Sequence, residues 1–187
     1  GNVMYAKYIK RILDFILSLI ALIVLSPVLL VVAILVRIKL GSPIIFKQQR
    51  PGKDEKIFTL YKFRTMTDKK DENGNLLPDS ERLTKFGKVL RSTSLDELPQ
   101  FWNVFKGDMS IIGPRPHMLV HDKEYMSEIA TYSLRYAVKP GITGWAQVNG
   151  LRGERDIKRV KMRVDYDLWY IQHWSLGLDI KIMLRTI

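Results

Sequence analysis

Apolar residues are spread unevenly along this chain. From Phe15 to Val36 run 22 residues without a charge, FILSLIALIVLSPVLLVVAILV, and nothing comparable recurs. At about 1.5 Å per residue a straight helix of that length reaches across a hydrocarbon core of roughly 30 Å. Ser26-Pro27 stands near the middle of the run. Proline removes a backbone donor and clashes with the preceding turn, which kinks a helix, and the Ser26 hydroxyl could serve a backbone group freed there. Both flanks are basic: Lys7, Lys10 and Arg11 before the run, Arg37, Lys39, Lys47 and Arg50 after it. Basic flanks favour the cytoplasmic side. A bent helix that returns to its own leaflet keeps both there, whereas a straight span carries one across. The pattern therefore predicts a re-entrant membrane helix over residues 4–40, kinked at Ser26 and Pro27, with a single straight span as the competing reading. No small-residue cleavage site follows the run, which argues against a secretory signal. Gly1, Asn2 and Val3, ahead of Met4, read as a tag remnant.

Beyond the block the periodicity changes repeatedly. Two short strands are predicted at Ile44–Gln48 and Ile57–Phe63, turning at Arg50-Pro51-Gly52-Lys53. Residues 67–80 are polar and turn at Asn73-Gly74. Residues 81–92 place Leu83, Phe86, Val89 and Leu90 at helical spacing, with a basic opposite side. Leu98, Phe101, Trp102 and Phe105 recur at three- and four-residue steps, and Gly107 closes that helix. SIIGPRP reads as a buried strand ending in a rigid turn, residues 117–136 as helix, and KPGITGWAQVNG as Gly-rich and irregular. Ile157, Val160, Val164, Leu168 and Ile171 share one helix face, and Leu178–Ile187 forms a short amphipathic helix. The fold class expected is an α-rich α+β membrane protein: the re-entrant helix, interfacial amphipathic helices, and a small β-hairpin or sheet. Residues 41–187 form one cytoplasmic, membrane-associated domain.

Charge narrows the partners. Thirty Lys and Arg against 19 Asp and Glu give +11, an excess that suits nucleic acid, anionic lipid or a phosphorylated substrate. A nucleic-acid reader leaves the apolar block unexplained, and no basic-aromatic reading motif is present, so no nucleic-acid partner is expected. With no cysteine, thiolate chemistry is excluded.

Three groups of residues could carry chemistry. Asp96-Glu97 is an adjacent carboxylate pair beside apolar and basic helices, able to hold a divalent metal, attack as a nucleophile or act as a base. A structural role competes, because Ser94-Leu95-Asp96-Glu97 matches a capping box; Pro99 fits better with Asp96 as the cap. Either register places the carboxylates in the first helical turn. The second group is basic: Lys62, Arg64, Arg91 and Arg115, the last stiffened by Pro114 and Pro116. His117 and His121 could offer two metal ligands at i, i+4 spacing, but no third ligand stands at a telling distance.

At this point the residues resemble a known family. Ser92–Gly107 (STSLDELPQFWNVFKG), continued by Asp108–Pro116 (DMSIIGPRP), is similar to the bacterial sugar transferases, the monotopic phosphoglycosyl transferases that initiate cell-surface glycan assembly. RPG at 50–52, YKFRTM at 61–66 and KPGITGWAQVNG at 139–150 extend the match over almost the whole chain. The resemblance implies that residues 41–187 are catalytic and that the Ser26-Pro27 block enters one leaflet of the bacterial inner membrane from the cytoplasmic face. It implies Asp96 as nucleophile on the sugar-bearing phosphate of a UDP-sugar, with UMP released and undecaprenyl phosphate, or another polyprenol phosphate, accepting the phosphosugar. Glu97 would assist, Mg²⁺ would bridge the diphosphate to Asp96, and Lys62, Arg64, Arg91 and Arg115 would meet phosphate. Pro114, Pro116, Gly141, Gly144, Gln147, Asn149 and Arg152 are the further substrate contacts implied. VNGLRGE at 148–154 and DYDL at 165–168 look closer to the hexose-1-phosphate branch, which favours UDP-glucose or UDP-galactose over an N-acetylated donor. Members of that branch often carry further N-terminal membrane helices and a domain, so the sequence reads as a short member or as part of a longer chain. A non-catalytic membrane scaffold is the rival from another class. Oligomeric state stays open, a homodimer included.

Overall fold

The computed structural model describes residues 5–151 and 156–186. The apolar block breaks where proline enters it. Helices α1 (Lys10–Val24) and α2 (Ser26–Lys39) are bent by 61° from one another. Pro27 lies in the first turn of α2, where its missing N–H removes no intrahelical bond. Ser26 Oγ donates to the Ile23 carbonyl at 2.7 Å. No single described helix is long and apolar enough to cross a membrane. Ile12, Phe15, Ile16, Ile20 and Ile23 of α1 and Leu30, Val31, Ile34 and Ile38 of α2 all project outward.

Strands β1 (Ile45–Pro51) and β2 (Ile57–Phe63) pair antiparallel, with Gln48 opposite Leu60. Pairing runs through Arg50 and Pro51, so the turn lies beyond them, at residues 52–56, rather than at Arg50–Lys53 as expected. Leu60 and Phe63 are three residues apart and therefore on opposite faces. Leu60 joins a core with Val104, Met109, Tyr170 and Ile182, while Phe63 joins another with Val32, Val36 and Leu90. The hairpin is thus a partition between the end of α2 and the rest of the molecule.

Next come α3 (Asp79–Arg82) and α4 (Lys85–Ser92), not one helix from 81. Leu83 is extended and bridges to Met66, and Thr84 Oγ1 then caps α4 by accepting from the Gly87 amide at 3.0 Å. Leu90 is buried as expected, but Val89, expected on the same apolar face, is exposed, and Gly87 is buried.

Helix α5 (Gln100–Lys106) also inverts the expected faces. It buries Gln100, Asn103 and Val104 and leaves Trp102 exposed. The cause is Asn103, whose Oδ1 accepts from the Tyr61 amide at 3.1 Å and whose Nδ2 donates to the Thr59 carbonyl at 2.7 Å. That amide satisfies both kinds of backbone group on β2, so a polar face packs inward, and Phe105 stacks on Phe15 of α1.

Strand β3 (Ser110–Ile112) pairs parallel with β4 (Gly141–Thr143), so the KPGITG run holds a strand where none was expected. Glycine permits it: a Cβ on Gly141 would lie 2.0 Å from the Gly113 nitrogen. Helix α6 (Leu119–Glu128) and a 3₁₀ turn at Tyr132–Ala137 replace the continuous helix expected over 117–136. Helices α7 (Trp145–Val148), α8 (Ile157–Gln172) and α9 (Leu176–Thr186) complete the chain. α8 buries Val160 and Val164 against Tyr125, Tyr132 and Tyr136. α9 buries Asp179 and Ile182 and exposes Leu176, Ile180 and Leu184.

Helix α1 is tied to this body by buried polar contacts. Lys10 Nζ donates to the Ile112 carbonyl at 2.9 Å, to Tyr170 at 2.7 Å and to Asp179 at 2.8 Å. Asp14 accepts from Ser110 Oγ at 2.6 Å and from the Ile111 amide at 3.2 Å. Removing one partner of a buried pair leaves the other charge uncompensated. Asp179→Ala is accordingly expected to cost about 3–5 kcal/mol, against less than about 0.5 kcal/mol for the surface change Lys158→Ala. Chemical denaturation in detergent measures both.

Candidate active site

Asp96 and Glu97 stand in a 3₁₀ turn, Leu95–Glu97, entered through Ser94 at φ 59° and ψ 16°. That left-handed backbone is unfavourable for serine and has to be held by its surroundings. Neither capping register expected from the sequence forms. The turned Ser94 side chain caps nothing, and Pro99 occupies the cap position of α5 without a side-chain bond. The dyad therefore precedes the helix rather than lying in its first turn, and neither carboxylate is taken up by capping.

The dyad faces a cleft of about 580 Å³, into which Lys62, Arg64, Arg91 and Arg115 also project. Three elements deliver these groups. Lys62 comes from β2, fixed against α5 by Asn103. Arg91 comes from α4, which lies flush on residue 65: a Cβ on Gly87 would stand 1.9 Å from the Thr65 carbonyl. Arg91 Nε then donates to Thr65 Oγ1 at 2.9 Å. Arg115 comes from the turn after β3 and places Nη2 3.4 Å from Glu97 Oε1, while Lys62 Nζ lies 4.0 Å from the same oxygen.

Sequence reasoning did not assign Arg50 to this cleft, although its RPG motif was noted. Arg50 lines it, buried, with Gln48 accepting from its guanidinium at 2.7 Å. The pairing of β1 with β2 through residue 50 was the missing signal. Arg82, one of the basic residues in the 81–92 segment, also lines the cleft.

The electrostatics are those of an anion site. Arg64 is matched by Asp68 at 3.0 Å, and Arg82 by Asp79 at 2.8 Å. Arg64 also donates to the Ser42 carbonyl at 2.9 Å and to the Met66 carbonyl at 3.1 Å, which holds the strand exit together. The remaining four cations, Arg50, Lys62, Arg91 and Arg115, face two carboxylates, an excess of two positive charges. Burial and then the neighbouring Arg50 push the Lys62 ammonium down to about 8, against the pull of Glu97. Burial and then Arg115 bring Arg50 to about 10. Asp96 is raised, first by burial and then by the Glu97 charge, with Lys62 and Arg91 opposing. An incoming diphosphate would relieve the crowding among the cations.

The other expected contacts lie elsewhere. Pro114 and Pro116 flank Arg115 but do not line the cleft, nor do Gly141, Gly144, Gln147 and Asn149. Gly144 packs on Gly113, where a Cβ would lie 2.3 Å from the carbonyl oxygen. Gln147 is buried, and Asn149 donates to the Trp145 carbonyl at 2.7 Å. Arg152 lies outside the described residues.

The histidine pair does not form. His117 precedes α6, so it and His121 share no helix spacing. His117 Nε2 accepts from Arg163 at 2.8 Å and Nδ1 meets the Tyr132 hydroxyl at 2.6 Å, leaving no lone pair for a metal. Burial and the surrounding arginines hold its pKa well below the usual histidine range. Among the described residues no three His, Cys, Asp or Glu side chains converge as a metal cage. One or two carboxylates beside a phosphate site is nevertheless the donor set Mg²⁺ uses, and Asp96 fits it, since Glu97 is engaged by Arg115.

Comparison with known proteins gives a consistent result. The model of a family described as bacterial sugar transferase matches residues 5–187. The chain is 50% identical over 181 residues to a UDP-glucose:undecaprenyl-phosphate glucose-1-phosphate transferase of Klebsiella pneumoniae, covering 95% of this chain and 39% of that protein. It is 48% identical to the uncharacterized sugar transferase EpsL of Bacillus subtilis, covering 96% of this chain and 85% of that one. An Aeromonas hydrophila protein named UDP-N-acetylgalactosamine-undecaprenyl-phosphate N-acetylgalactosaminephosphotransferase is 42% identical, over 96% of this chain and 43% of its own. The chain thus spans about two fifths of the Klebsiella and Aeromonas relatives.

The lowered Lys62 ammonium predicts pH-dependent anion binding. Below about pH 8 its ammonium is charged and attracts a phosphate; above that it becomes neutral and the attraction is lost. The affinity for inorganic pyrophosphate, followed by calorimetry, is expected to weaken as pH rises through about 8. Lys62→Arg, which stays charged, is expected to remove that inflection.

Proposed function

This chain belongs to the bacterial sugar transferase family, and we propose that it moves a sugar 1-phosphate from a UDP-sugar onto undecaprenyl phosphate, releasing UMP. The observation that carries this reading is a buried Asp96 carboxylate, free of capping, in a cleft with two positive charges in excess. Arg50, Lys62 and Arg115 bind and orient the diphosphate. An Asp96 oxygen then attacks the sugar-bearing phosphorus, the bond from that phosphorus to the bridging oxygen breaks, and UMP leaves with the bridging oxygen. The acyl phosphate left on Asp96 is next attacked by a phosphate oxygen of the lipid, which frees the carboxylate and yields the diphosphate-linked sugar. Two steps at one carboxylate let a water-soluble donor and a lipid acceptor use one site in turn. Glu97, held by Arg115 and Lys62, keeps those cations aimed at the phosphates. Asp96 would hold Mg²⁺, which when bound neutralises charge on the transferring group.

The membrane reading rests on the same geometry. The bent α1–α2 pair carries outward apolar side chains on both arms, and α9 adds the stripe Leu176, Ile180 and Leu184. We place the bent pair in one leaflet at the cytoplasmic face of the inner membrane, with α9 in the headgroup layer. Transfer there would be the first membrane step of exopolysaccharide assembly. UDP-glucose is the favoured donor, given the Klebsiella relative, with UDP-galactose next. The Aeromonas relative favours a second reading, an N-acetylated donor.

Two measurements test this. UMP release from a panel of UDP-sugars, with detergent-solubilised protein, Mg²⁺ and undecaprenyl phosphate, is expected for one donor and to fall at least about a thousandfold in Asp96→Asn. Turnover that survives that change would remove Asp96 from the chemistry. Separately, the chain has no cysteine, so Tyr8→Cys and Lys39→Cys each create a single thiol. A membrane-impermeant maleimide is expected to label both from the cytoplasmic side of inverted vesicles. Labelling from opposite sides would require a straight span.

A further inference from the structure

The turn that carries Arg115 is gripped by its carbonyls. Pro114 accepts from the Gly141 amide at 2.9 Å, Arg115 from the Arg135 guanidinium, and Pro116 from Arg50 at 2.7 Å. Three successive carbonyls are therefore held from β4, from the 3₁₀ turn at Tyr132–Ala137 and from β1. Pro114 and Pro116 have no N–H, so their carbonyls are the main-chain polar groups through which the fold can hold them.

Arg135 lies behind this turn, 2% exposed, and does not line the cleft. Its Nε donates to Asp167 at 3.1 Å, and Asp167 is 2% exposed. Nη1 reaches the Tyr132 hydroxyl at 3.5 Å. The wall behind it has a single proton arrangement. Arginine only donates, so His117 Nε2 accepts from Arg163, and Nδ1 keeps the proton and donates to Tyr132. The Arg135 fork is thus fixed in orientation before it meets the Arg115 carbonyl. The side chain of that same residue reaches toward Glu97 across the cleft.

We propose that Arg135, oriented by Asp167, is a positioning residue that aims Arg115 at the transferring phosphate. This rests on the reading of the cleft given above. Arg135 touches no substrate; it sets the backbone from which the Arg115 guanidinium extends. A displacement of about 1 Å in such a group can cost on the order of a hundredfold in rate. Lysine at 135 keeps the charge that Asp167 requires and loses the planar fork that serves carboxylate and carbonyl together.

The test is a double-mutant cycle on UMP release with thermal unfolding measured alongside. The variants are Arg135→Lys, Asp167→Asn, Arg115→Lys (chosen to retain measurable turnover) and each of the first two combined with the third. Arg135→Lys and Asp167→Asn are expected to lower kcat on the order of tenfold with little change in the KM for the UDP-sugar. In the Arg115→Lys background neither is expected to lower it further. Losses that multiply in that background, or a folded Arg135→Lys protein with wild-type kcat, would overturn the proposal. Should Arg135→Lys not fold, the near-isosteric Asp167→Asn supplies the same comparison; failure of both to fold assigns the network to structure alone and overturns it too. A folded wild type that releases no UMP from any donor defeats the underlying reading, an outcome distinct from an active wild type with unaffected variants.

Discussion

The Lys10 ammonium, buried between Asp179, Tyr170 and the Ile112 carbonyl, is the contact on which the arrangement depends. All three of its donors are used, each on a different element. With Asp14 on Ser110 and the Ile111 amide, it fixes one face of α1 against β3 and against the C-terminal helices. Burying ions costs several kcal/mol each, and the cost is recovered only when geometry is good and the remaining lone pairs are satisfied. Here they are, through serine, tyrosine and main chain. The pair gives α1 a direction, which unspecific apolar contact does not. The opposite face of the helix is left apolar and outward.

The chain's organisation was legible wherever local pattern and tertiary packing agreed. Ser26-Pro27 announced the break, and the chain bends there by 61° with the serine hydroxyl on a backbone carbonyl. The α8 stripe was equally direct. The rest was set by contacts between segments far apart in the chain. Phe101, Trp102 and Phe105 mark an apolar stripe on α5 whose direction the spacing leaves open, and one asparagine satisfying two backbone groups of β2 decides which side turns inward. The strand in the KPGITG run was hidden because glycines permit it by having no side chain, and absence carries no periodicity.

The cleft shows the same division. Asp96 and Glu97 stand out in the sequence by their adjacency and motif, yet the pattern around them points to a capped helix start that does not form. The left-handed Ser94 cannot be foreseen from a capping-box pattern, and it is what sets the carboxylates free of that role. Arg50 escaped assignment because its neighbours in the cleft are far away in sequence and meet only through strand register. Gly141, Gly144 and Asn149 belong to a motif that serves packing behind the Arg115 turn, at a remove from the dyad.

Strand β2 has two clients on consecutive residues. Phe63 packs on the α2 end of the molecule and Lys62 stands in the cleft. Adjacent residues of a strand are separated by about 3.3 Å along its axis, so the hairpin holds the cleft at a short, fixed distance from the apolar segment. On the proposed reading, that distance would gauge an acceptor by the altitude at which its phosphate rides, and the length of the chain below it would go unmeasured. Lipids of different tail length would look alike to such an instrument, while a spacer of a few atoms between phosphate and tail would lift the reacting group out of range.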